Sequence, residues 1–546
     1  MKPKPTATLF FMLSVVGILA ILMLIFPKDG VSISKDLTLY FPDWEEWWLE
    51  SIGKIPTESK VDLPDLVEED TNNFSDTTTV EDPIQVADMS GIPDFDSSVY
   101  KFTPRPIKVE SIKQPLELPN EGLKCLENLF QSLINPDELS KVVRILHYGD
   151  SQIETDRITN YLRYKFQQQF GGSGPGLIPA KTPYDYKSPC QVINEGEWTR
   201  YTVFPKIDTC VKHSRYGALA SFARFSPIIN NQPKQEIAKN DTLNNDSTII
   251  SENNTDNTES VNQDIIEPQN QTTYTASLKF VPTKLGYGNV GVIKRVKMFY
   301  GNNTKPFSIK IADGETILYA DMLNAEGTYA SKTWNFAQTP NDFHIDFSGE
   351  DSPDIYAFAM DGLSGVAIDN IALRGCSGTI FTKLDGNFLS KMYRELNVKC
   401  VILQFGGNTV PYLTPERVAG FKSSFVSQIK YIKRICPGIS IIVVGPADMS
   451  TKVQDNYETY EVLPDVVDAM RNAALQNGCA FWDMYSAMGG ANTMPDWVFH
   501  DPPYAEKDFV HFTPNGASVI AKMFYNALIT RYNEYIGKNS SASPQN

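Results

Sequence analysis

Short apolar runs alternate with amphipathic stretches in the second half of the chain. The runs CVILQF at 400–405, SIIVVG at 440–445 and CAFWDM at 479–484 have the length and composition of buried strands. Helical patterns lie between them, from about Pro415 to Ile435 and from about Pro464 to Gln476. Strands that alternate with helices form a parallel sheet with helices on both faces, so this region predicts an α/β fold.

An earlier segment has the same character. The apolar run VVRILHY at 142–148 ends at Gly149, and apolar residues then recur at near-helical spacing at Ile153, Ile158, Leu162 and Phe166. The order strand, tight turn, helix follows, with Ser151 in the turn. At the other end of the chain, Thr513 can cap a last helix that begins at Pro514.

The middle of the chain has a different pattern. Runs such as TASLKFV, VIKRVKMFY, PFSIKIA and FHIDF alternate with turn residues between about Pro189 and Gly365. This predicts a β-rich domain at 189–365 inserted into an α/β domain, whose two parts span 121–188 and 366–536. Inside the insertion, residues 229–273 are dominated by Asn, Thr, Gln and Asp and are predicted to form a disordered loop.

The N-terminal region predicts a membrane anchor and a stalk. Leu9 to Phe26 form an uncharged apolar run preceded by Lys2 and Lys4. This favours a single transmembrane helix within residues 1–30, with a cytoplasmic N-terminus and an exported body, although a cleaved signal peptide is the alternative. Residues 31–120 are acidic and rich in Pro, Ser and Thr, as in a stalk, and residues 537–546 are predicted to be a disordered tail.

Composition narrows the choice of partners. A formal net charge of -16 argues against nucleic acid and favours a neutral small molecule or a polysaccharide. None of the seven cysteines forms a CxxC pair, so no zinc site is predicted. Cys190 and Cys210 could form a disulfide, whereas Cys400 and Cys479 fall in apolar runs typical of buried thiols.

Three residues could provide nucleophilic catalysis. A serine hydroxyl needs a histidine to take its proton and a carboxylate to hold that histidine. Ser151 lies at a strand end, and of the five histidines His511 has Asp508 three residues before it. The alternatives are ordinary ones: a Gly-Asp-Ser turn often only caps a helix, and an Asp-x-x-His often only forms a surface turn. His147, inside the preceding strand, is predicted to be structural.

Two further positions could stabilise an oxyanion. Gly378 in GCSGT and Asn408 in FGGN both follow apolar runs, and they could therefore reach the same sheet edge as Ser151. The glycines of these segments, Gly375, Gly378, Gly406 and Gly407, could equally be simple turn formers.

Taken in order, four segments resemble the blocks of the SGNH or GDSL-like hydrolase superfamily: HYGDSQIETD, DNIALRGCSGT, LQFGGNTV and DFVH. The resemblance implies a flavodoxin-like three-layer fold, with Ser151, Asp508 and His511 catalytic and Ser151, Gly378 and Asn408 holding the oxyanion. It implies no metal or organic cofactor. Two positions depart from the usual pattern, since Gln152 replaces a leucine and Thr409 replaces an aspartate.

The arrangement is most similar to exported bacterial peptidoglycan or polysaccharide O-acetylesterases with a carbohydrate-binding-like β-sandwich insertion. The expected function is therefore an O-acetylesterase, and the alternatives are a polysaccharide O-acetyltransferase and a non-catalytic glycan-binding protein. An acetylated polysaccharide or peptidoglycan is the expected substrate, and the inner membrane, with the body in the periplasm, is the expected location. Aromatic residues that could contact glycan in the insertion, or simply form its core, are Trp198, Tyr216, Tyr287 and Trp334.

Overall fold

The computed structural model describes residues 31–34, 37–39, 105–110, 112–184, 188–228, 272–454 and 456–542. Met1–Asn73 and Phe74–Asn546 form separate compact units, and the first contains a short antiparallel strand pair. The predicted anchor at 1–30, most of the predicted stalk and all but the last two residues of the predicted loop at 229–273 lie outside the described residues. No described helix has the length and apolar character needed to cross a bilayer.

The strands are numbered here in chain order. They are β1 (Val31–Ser34), β2 (Leu37–Leu39), β3 (Val142–Gly149), β4 (Gly176–Ile178), β5 (Cys190–Gly196), β6 (Thr199–Thr202), β7 (Ser221–Arg224), β8 (Tyr274–Pro282), β9 (Arg295–Gly301), β10 (Phe307–Asp313), β11 (Thr316–Leu323), β12 (Ala330–Asn335), β13 (Phe343–Gly349), β14 (Asp354–Asp361), β15 (Gly365–Ala372), β16 (Val398–Gln404), β17 (Ser440–Val444), β18 (Ser450–Val453), β19 (Asn456–Thr459) and β20 (Ala480–Trp482).

The described α-helices are α1 (Glu127–Ile134), α2 (Pro136–Leu139), α3 (Thr159–Phe170), α4 (Gly386–Glu395), α5 (Val418–Ile435), α6 (Leu463–Leu475), α7 (Met484–Met488), α8 (Met494–Val498) and α9 (Pro514–Ala542). Short 3-10 helices occupy Gly122–Leu126, Ser151–Asp156, Gly288–Gly291, Phe381–Lys383, Gly407–Tyr412 and Pro415–Arg417.

A five-stranded parallel sheet in the order β15-β3-β16-β17-β20 forms the centre of the α/β part. Its strands are almost wholly buried, which explains why they read as continuous apolar runs rather than as alternating patterns. The helices predicted between the strands are present as α5 and α6, and Thr513 Oγ1 accepts a hydrogen bond from the Gly516 N–H at the start of α9. The predicted α/β fold is therefore confirmed.

Two antiparallel sheets occupy the chain between β3 and β15. One has the order β11-β10-β13-β8-β5, and the other has the order β12-β9-β14-β7-β6 with β4 added at β14. Buried side chains from both sheets form one apolar cluster that includes Trp198, Phe225, Phe347 and Trp334. β4 precedes the predicted boundary at 189, so residues upstream of that boundary also take part in the antiparallel pairing.

Buried charges join the parallel sheet to the antiparallel one. Arg144 on β3 donates to Asp369 on β15 at 2.7 Å and to Asp361 on β14. All three side chains are almost fully buried. Loss of one partner would leave an uncompensated charge inside the protein, so this triad fixes how β14 approaches the parallel sheet.

Several sequence expectations need correction. The regular helix after β3 begins at Thr159 rather than beside Ser151, because Glu154 and Thr155 leave helical geometry within the 3-10 turn. Helix α9 extends over Pro514–Ala542, past the predicted boundary at 536, because each added residue contributes a backbone hydrogen bond. All seven cysteines are free, so Cys190 and Cys210 do not form a disulfide.

Candidate active site

Ser151 lies at the carboxyl edge of the parallel sheet, two residues after the end of β3. Asp150 follows the strand in an extended conformation, and its Oδ1 accepts a hydrogen bond from the Gln152 N–H at 3.0 Å. The chain then turns sharply, with Thr155 in the left-handed region at φ 59°. This turn leaves the Ser151 side chain partly exposed above the sheet edge.

His511 joins Ser151 to Asp508. Its Nε2 lies 2.8 Å from Ser151 Oγ, and its Nδ1 lies 2.7 Å from Asp508 Oδ2. Asp508 Oδ1 also accepts the backbone N–H groups of Val510 and His511. Burial tends to raise the pKa of Asp508, but the hydrogen bonds from His511 and Val510 outweigh it and hold that pKa below its usual value. The carboxylate is therefore ionised and oriented toward the imidazole.

The side-chain amide of Gln152 holds the loop that carries His511. Its Nε2 donates to the carbonyl oxygen of Val510 at 2.5 Å, and its Oε1 accepts from the Phe512 N–H at 3.4 Å. The two bonds fall on either side of His511. The resemblance leads us to expect leucine at position 152. The glutamine found there has a structural role, because its side chain holds the loop of His511.

A hairpin of β18 and β19 supports the same loop from the other side. The Ser450 N–H donates to the carbonyl oxygen of Phe509 at 3.0 Å. The rings of Tyr457 and Phe509 are stacked, with centroids 3.6 Å apart and planes 8° apart. Phe509 has φ 58°, a left-handed conformation that is unfavourable for an aromatic residue. These contacts stabilise the turn that places Asp508 and His511 side by side.

A small cavity opens beside Ser151 and His511. Its volume is about 180 Å³. One wall is polar and includes Ser151, Asn408 and Gln404, and the remaining lining is largely apolar, formed by Pro411, Tyr412, Pro446, Ala447, Met449, Tyr460 and Met484. Such a space suits a compact group with one polar end, and it is smaller than the sites of ~300 Å³ or more that hold drug-sized ligands.

The predicted oxyanion donors have different positions in the structure. Asn408 lines the cavity, and its Nδ2 lies 3.4 Å from the carbonyl oxygen of Cys376. Gly378 does not line the cavity, and its N–H points to Cys376 Sγ at 3.3 Å. The short loop after β15 turns back on itself at Cys376, and the oxyanion role of Gly378 stays a prediction.

Asp150 is a site residue that the sequence analysis did not single out. It is buried, lines the cavity beside Ser151 and accepts a hydrogen bond from the Asn408 side chain. Burial raises the pKa of Asp150 to about 6, although the hydrogen bonds and the nearby His511 act in the opposite direction. The only sequence signal for this residue was its position directly before Ser151 in the Gly-Asp-Ser segment.

Buried polar groups extend from the cavity into the protein core. Gln404 Oε1 lies 3.0 Å from His147 Nε2, His147 Nδ1 lies 2.9 Å from Thr159 Oγ1, and Asn370 Nδ2 donates to that same hydroxyl. Burial lowers the pKa of His147 to about 4, so the ring is neutral at neutral pH. The burial of His147 and its hydrogen bonds within the core are what a structural role requires.

The candidate glycan contacts in the β-rich region are mostly core residues. Trp198, Tyr216 and Trp334 are buried, while Tyr287 is half-buried against Tyr164. Within the described ranges, no group of three or more His, Cys, Asp or Glu side chains is arranged to hold a metal ion.

Comparisons with known proteins agree with this architecture. Residues 344–519 match the GDSL-like Lipase/Acylhydrolase family, a range that includes Asn408, Asp508 and His511 but not Ser151. A solved structure of a peptidoglycan O-acetylesterase superposes with a TM-score of 0.54 at 18% identity, covering 76% of this chain and 99% of that one. No curated protein sequence matches the chain significantly.

Two further solved structures are more distant. An acetyl xylan esterase has a TM-score of 0.24 at 17% identity, covering 30% of this chain and 81% of that one. A family two carbohydrate esterase from Cellvibrio japonicus has a TM-score of 0.21 at 9% identity, covering 48% of this chain and 92% of that one.

The chain thus resembles the SGNH superfamily, as its four motifs predict, and residues 344–519 are similar to the GDSL-like acylhydrolase family. By class it is an esterase with an SGNH-type α/β fold.

Proposed function

We propose that this esterase removes O-acetyl groups from a cell-wall or other polysaccharide through an acyl-enzyme on Ser151. The observation that carries the proposal is the contact chain from Ser151 Oγ through His511 to Asp508, with distances of 2.8 Å and 2.7 Å, beside a small cavity. Nucleophile, base and orienting carboxylate are within hydrogen-bond reach of one another, which is the requirement for serine catalysis.

In the first half of the reaction, His511 Nε2 takes the proton of the Ser151 hydroxyl as Oγ attacks the acetyl carbonyl carbon. Asp508 Oδ2 accepts a hydrogen bond from the Nδ1–H of His511 and stabilises the imidazolium that forms. The Ser151 N–H and the Asn408 side chain are the donors we assign to the oxyanion. When the tetrahedral intermediate collapses, His511 gives its proton to the departing sugar oxygen, and an acetyl ester remains on Ser151.

In the second half, His511 takes a proton from water as the water oxygen attacks the acetyl-serine. Collapse of this intermediate releases acetate and restores the Ser151 hydroxyl. The small cavity supports a short acyl group, because its walls of Pro446, Met449 and Met484 leave no room for a long chain. Asp150 supports the reaction indirectly by holding the Asn408 amide.

Two observations support a polysaccharide as the carrier of the acetyl group. The fold matches a protein described as a peptidoglycan O-acetylesterase over most of both chains. The uncharged run from Leu9 to Phe26 further supports a body that is anchored in the inner membrane and exported to the periplasmic side, where cell-wall polysaccharides are found.

Protease treatment of intact and osmotically opened cells tests this location. The proposal requires that the protein is digested only after the outer layer is opened.

The function is tested by acetate release from O-acetylated peptidoglycan, acetylated xylan and a small aryl acetate. Each substrate is given to the parent enzyme, to Ser151→Ala and to Ser423→Ala, an exposed serine on the outer face of α5. We expect release by the parent and by Ser423→Ala, and none by Ser151→Ala. Absence of release from both glycans would contradict the proposed substrate, and acetylation of a sugar acceptor by an added acetyl donor would show a transferase instead.

A further inference from the structure

Exposed aromatic side chains are concentrated around the candidate active site. Among the residues that the structure describes, the exposed Tyr, Phe and Trp side chains are Tyr412, Tyr457 and Phe499, which are 81%, 40% and 75% exposed. Single exposed apolar residues are common on protein surfaces and need no explanation. Here, however, Tyr412 lines the cavity of the site, and Tyr457 and Phe499 contact Phe509 in the loop that carries Asp508 and His511.

Tyr412 lies on one side of the cavity. It ends the 3-10 helix Gly407–Tyr412, which follows strand β16 and also contains Asn408. Its side chain lines the cavity together with Ser151 and His511, yet most of its surface faces solvent. Pro411 directly before it restricts the local backbone, so the ring is presented from a rigid segment.

Tyr457 and Phe499 lie next to the loop that carries Asp508 and His511. Both contact the buried ring of Phe509: Tyr457 stacks on it, and Phe499 meets it edge-on with centroids 5.9 Å apart. One face of Tyr457 is covered by this stacking, and the remainder of its ring stays open to solvent. The two rings therefore form an aromatic surface attached directly to the segment between Asp508 and His511.

Flat exposed rings beside a cavity are suited to binding sugar rings. The C–H faces of pyranose rings are apolar and flat, and they pack on aromatic side chains while the sugar hydroxyls stay in water. The antiparallel sheets do not offer such rings at Trp198, Tyr216 or Trp334, since those residues are buried. Sugar recognition through aromatic rings is thus available beside the catalytic loops and not at those three positions.

We propose that Tyr412, Tyr457 and Phe499 form a binding surface for the pyranose units that flank the acetylated sugar. This inference rests on the proposed function and deepens it. It specifies that the substrate is an oligomer or polymer that extends beyond the cavity on the Tyr412 side and on the Phe499 side. A free acetylated monosaccharide lacks the flanking units that these rings would bind.

The test measures binding in the Ser151→Ala protein, so that turnover does not interfere. The probes are β-1,4-linked oligomers of xylose and of N-acetylglucosamine, from one to six units, titrated by calorimetry. We expect affinity in at least one series to rise with length, and Tyr412→Ala or Phe499→Ala to weaken the longest oligomer about tenfold, as expected for the loss of one stacked ring. Met322→Ala on β11 removes an equally exposed apolar side chain remote from the site and serves as the control.

Two substitutions separate ring stacking from simple apolarity. Tyr412→Trp keeps a flat ring and is expected to retain the affinity, whereas Tyr412→Leu keeps an apolar side chain without one and is expected to lose it. Equal affinity in the Leu and Trp variants, affinity that does not depend on oligomer length, or binding only to phospholipid vesicles would overturn the inference. Failure of the proposed function has a different signature, namely no acetate release from glycans by the active enzyme.

Discussion

Gln152 Nε2 donates a hydrogen bond to the carbonyl oxygen of Val510 at 2.5 Å, and this bond connects the turn of the nucleophile to the loop of the base. The same side chain accepts the Phe512 N–H, so the segment from 510 to 512 is held on both sides of His511. The relative positions of Ser151 and His511 therefore depend on a side chain that takes no part in proton transfer.

Gln152→Leu should lower kcat on a small aryl acetate about tenfold while KM changes little. The substitution leaves the Val510 carbonyl and the Phe512 N–H without this partner, and a misplaced imidazole slows the chemical step more than it weakens binding. Steady-state kinetics measure the split, with the exposed Gln169→Leu as the matched control. A rise in KM at constant kcat would show instead that Gln152 acts on substrate binding.

Tyr457→Ala should also lower kcat, because Phe509 loses the ring that it stacks against. An aromatic pair of this kind contributes about 0.5 to 1.5 kcal/mol, and Phe509 has a left-handed backbone that depends on such support. We expect Tyr457→Phe to restore the rate, since the ring is kept. Equal losses in the Ala and Phe variants would assign the effect to the Tyr457 hydroxyl and contradict a stacking role.

Asp508→Asn should reduce kcat about 100-fold on every ester tested. The amide cannot stabilise the imidazolium that forms on His511, but Asp508 is half-exposed and water can replace part of its effect. His511→Ala should cost more, because the base itself is lost. Glu506→Gln, a charge change two residues earlier on the same loop, is the control and should keep the parental rate; a loss comparable with that of Asp508→Asn would point to the charge of the loop as a whole.

Met484→Ala should widen the range of acyl groups. Met484 is buried at the cavity wall, and its truncation enlarges a space of about 180 Å³. The parent should cleave aryl acetate much faster than aryl butyrate, and the variant should raise the butyrate-to-acetate ratio of kcat/KM about tenfold. An unchanged ratio would mean that the acyl group does not enter this cavity.

Because His147 is buried, we expect the free energy of unfolding to decrease as the solution becomes acidic. Its pKa is lowered to about 4 in the folded protein, so between about pH 6.5 and 4 the unfolded chain binds a proton that the folded chain does not. The contribution of His147 to the free energy of unfolding is fully present above pH 6.5 and falls by up to about 3 kcal/mol as the pH decreases toward 4. Asp150, whose pKa is raised to about 6, acts with the opposite sign over nearly the same range.

The contribution of His147 is isolated by comparing the free energies of unfolding of the parent and of His147→Asn. Denaturant unfolding at pH 7 and pH 5 should show a smaller loss on acidification in the variant than in the parent. Parallel losses in the two proteins would show that His147 does not titrate differently in the folded and unfolded states.

Much of the fold could be predicted from the sequence, because strands buried on both faces leave uninterrupted apolar runs. β16 and β17 start within a few residues of the predicted positions, and α5 and α6 lie between the strands as expected. The contact between Ser151, Asp508 and His511 could be anticipated because Ser151 follows a buried strand and Asp508 precedes His511 by three residues, in motifs whose order resembles the SGNH blocks.

Other features depend on tertiary contacts that a pattern does not contain. The N–H direction of Gly378 is set by a turn around Cys376, and the burial of Trp198 and Trp334 follows from two sheets packing face to face. The role of Gln152 requires knowledge that the segment at 510–512 lies beside it, although some 360 residues separate them. Long-range hydrogen bonds of this kind have no local signal.

Covalent labelling tests most directly whether His511 activates the Ser151 hydroxyl. A fluorophosphonate ester reacts with an activated serine, and peptide mapping by mass spectrometry identifies the modified residue. We predict one adduct on the peptide that contains Ser151, much slower labelling in His511→Ala and none in Ser151→Ala. An adduct on a different residue, or equal labelling of Ser151→Ala, would contradict the assignment.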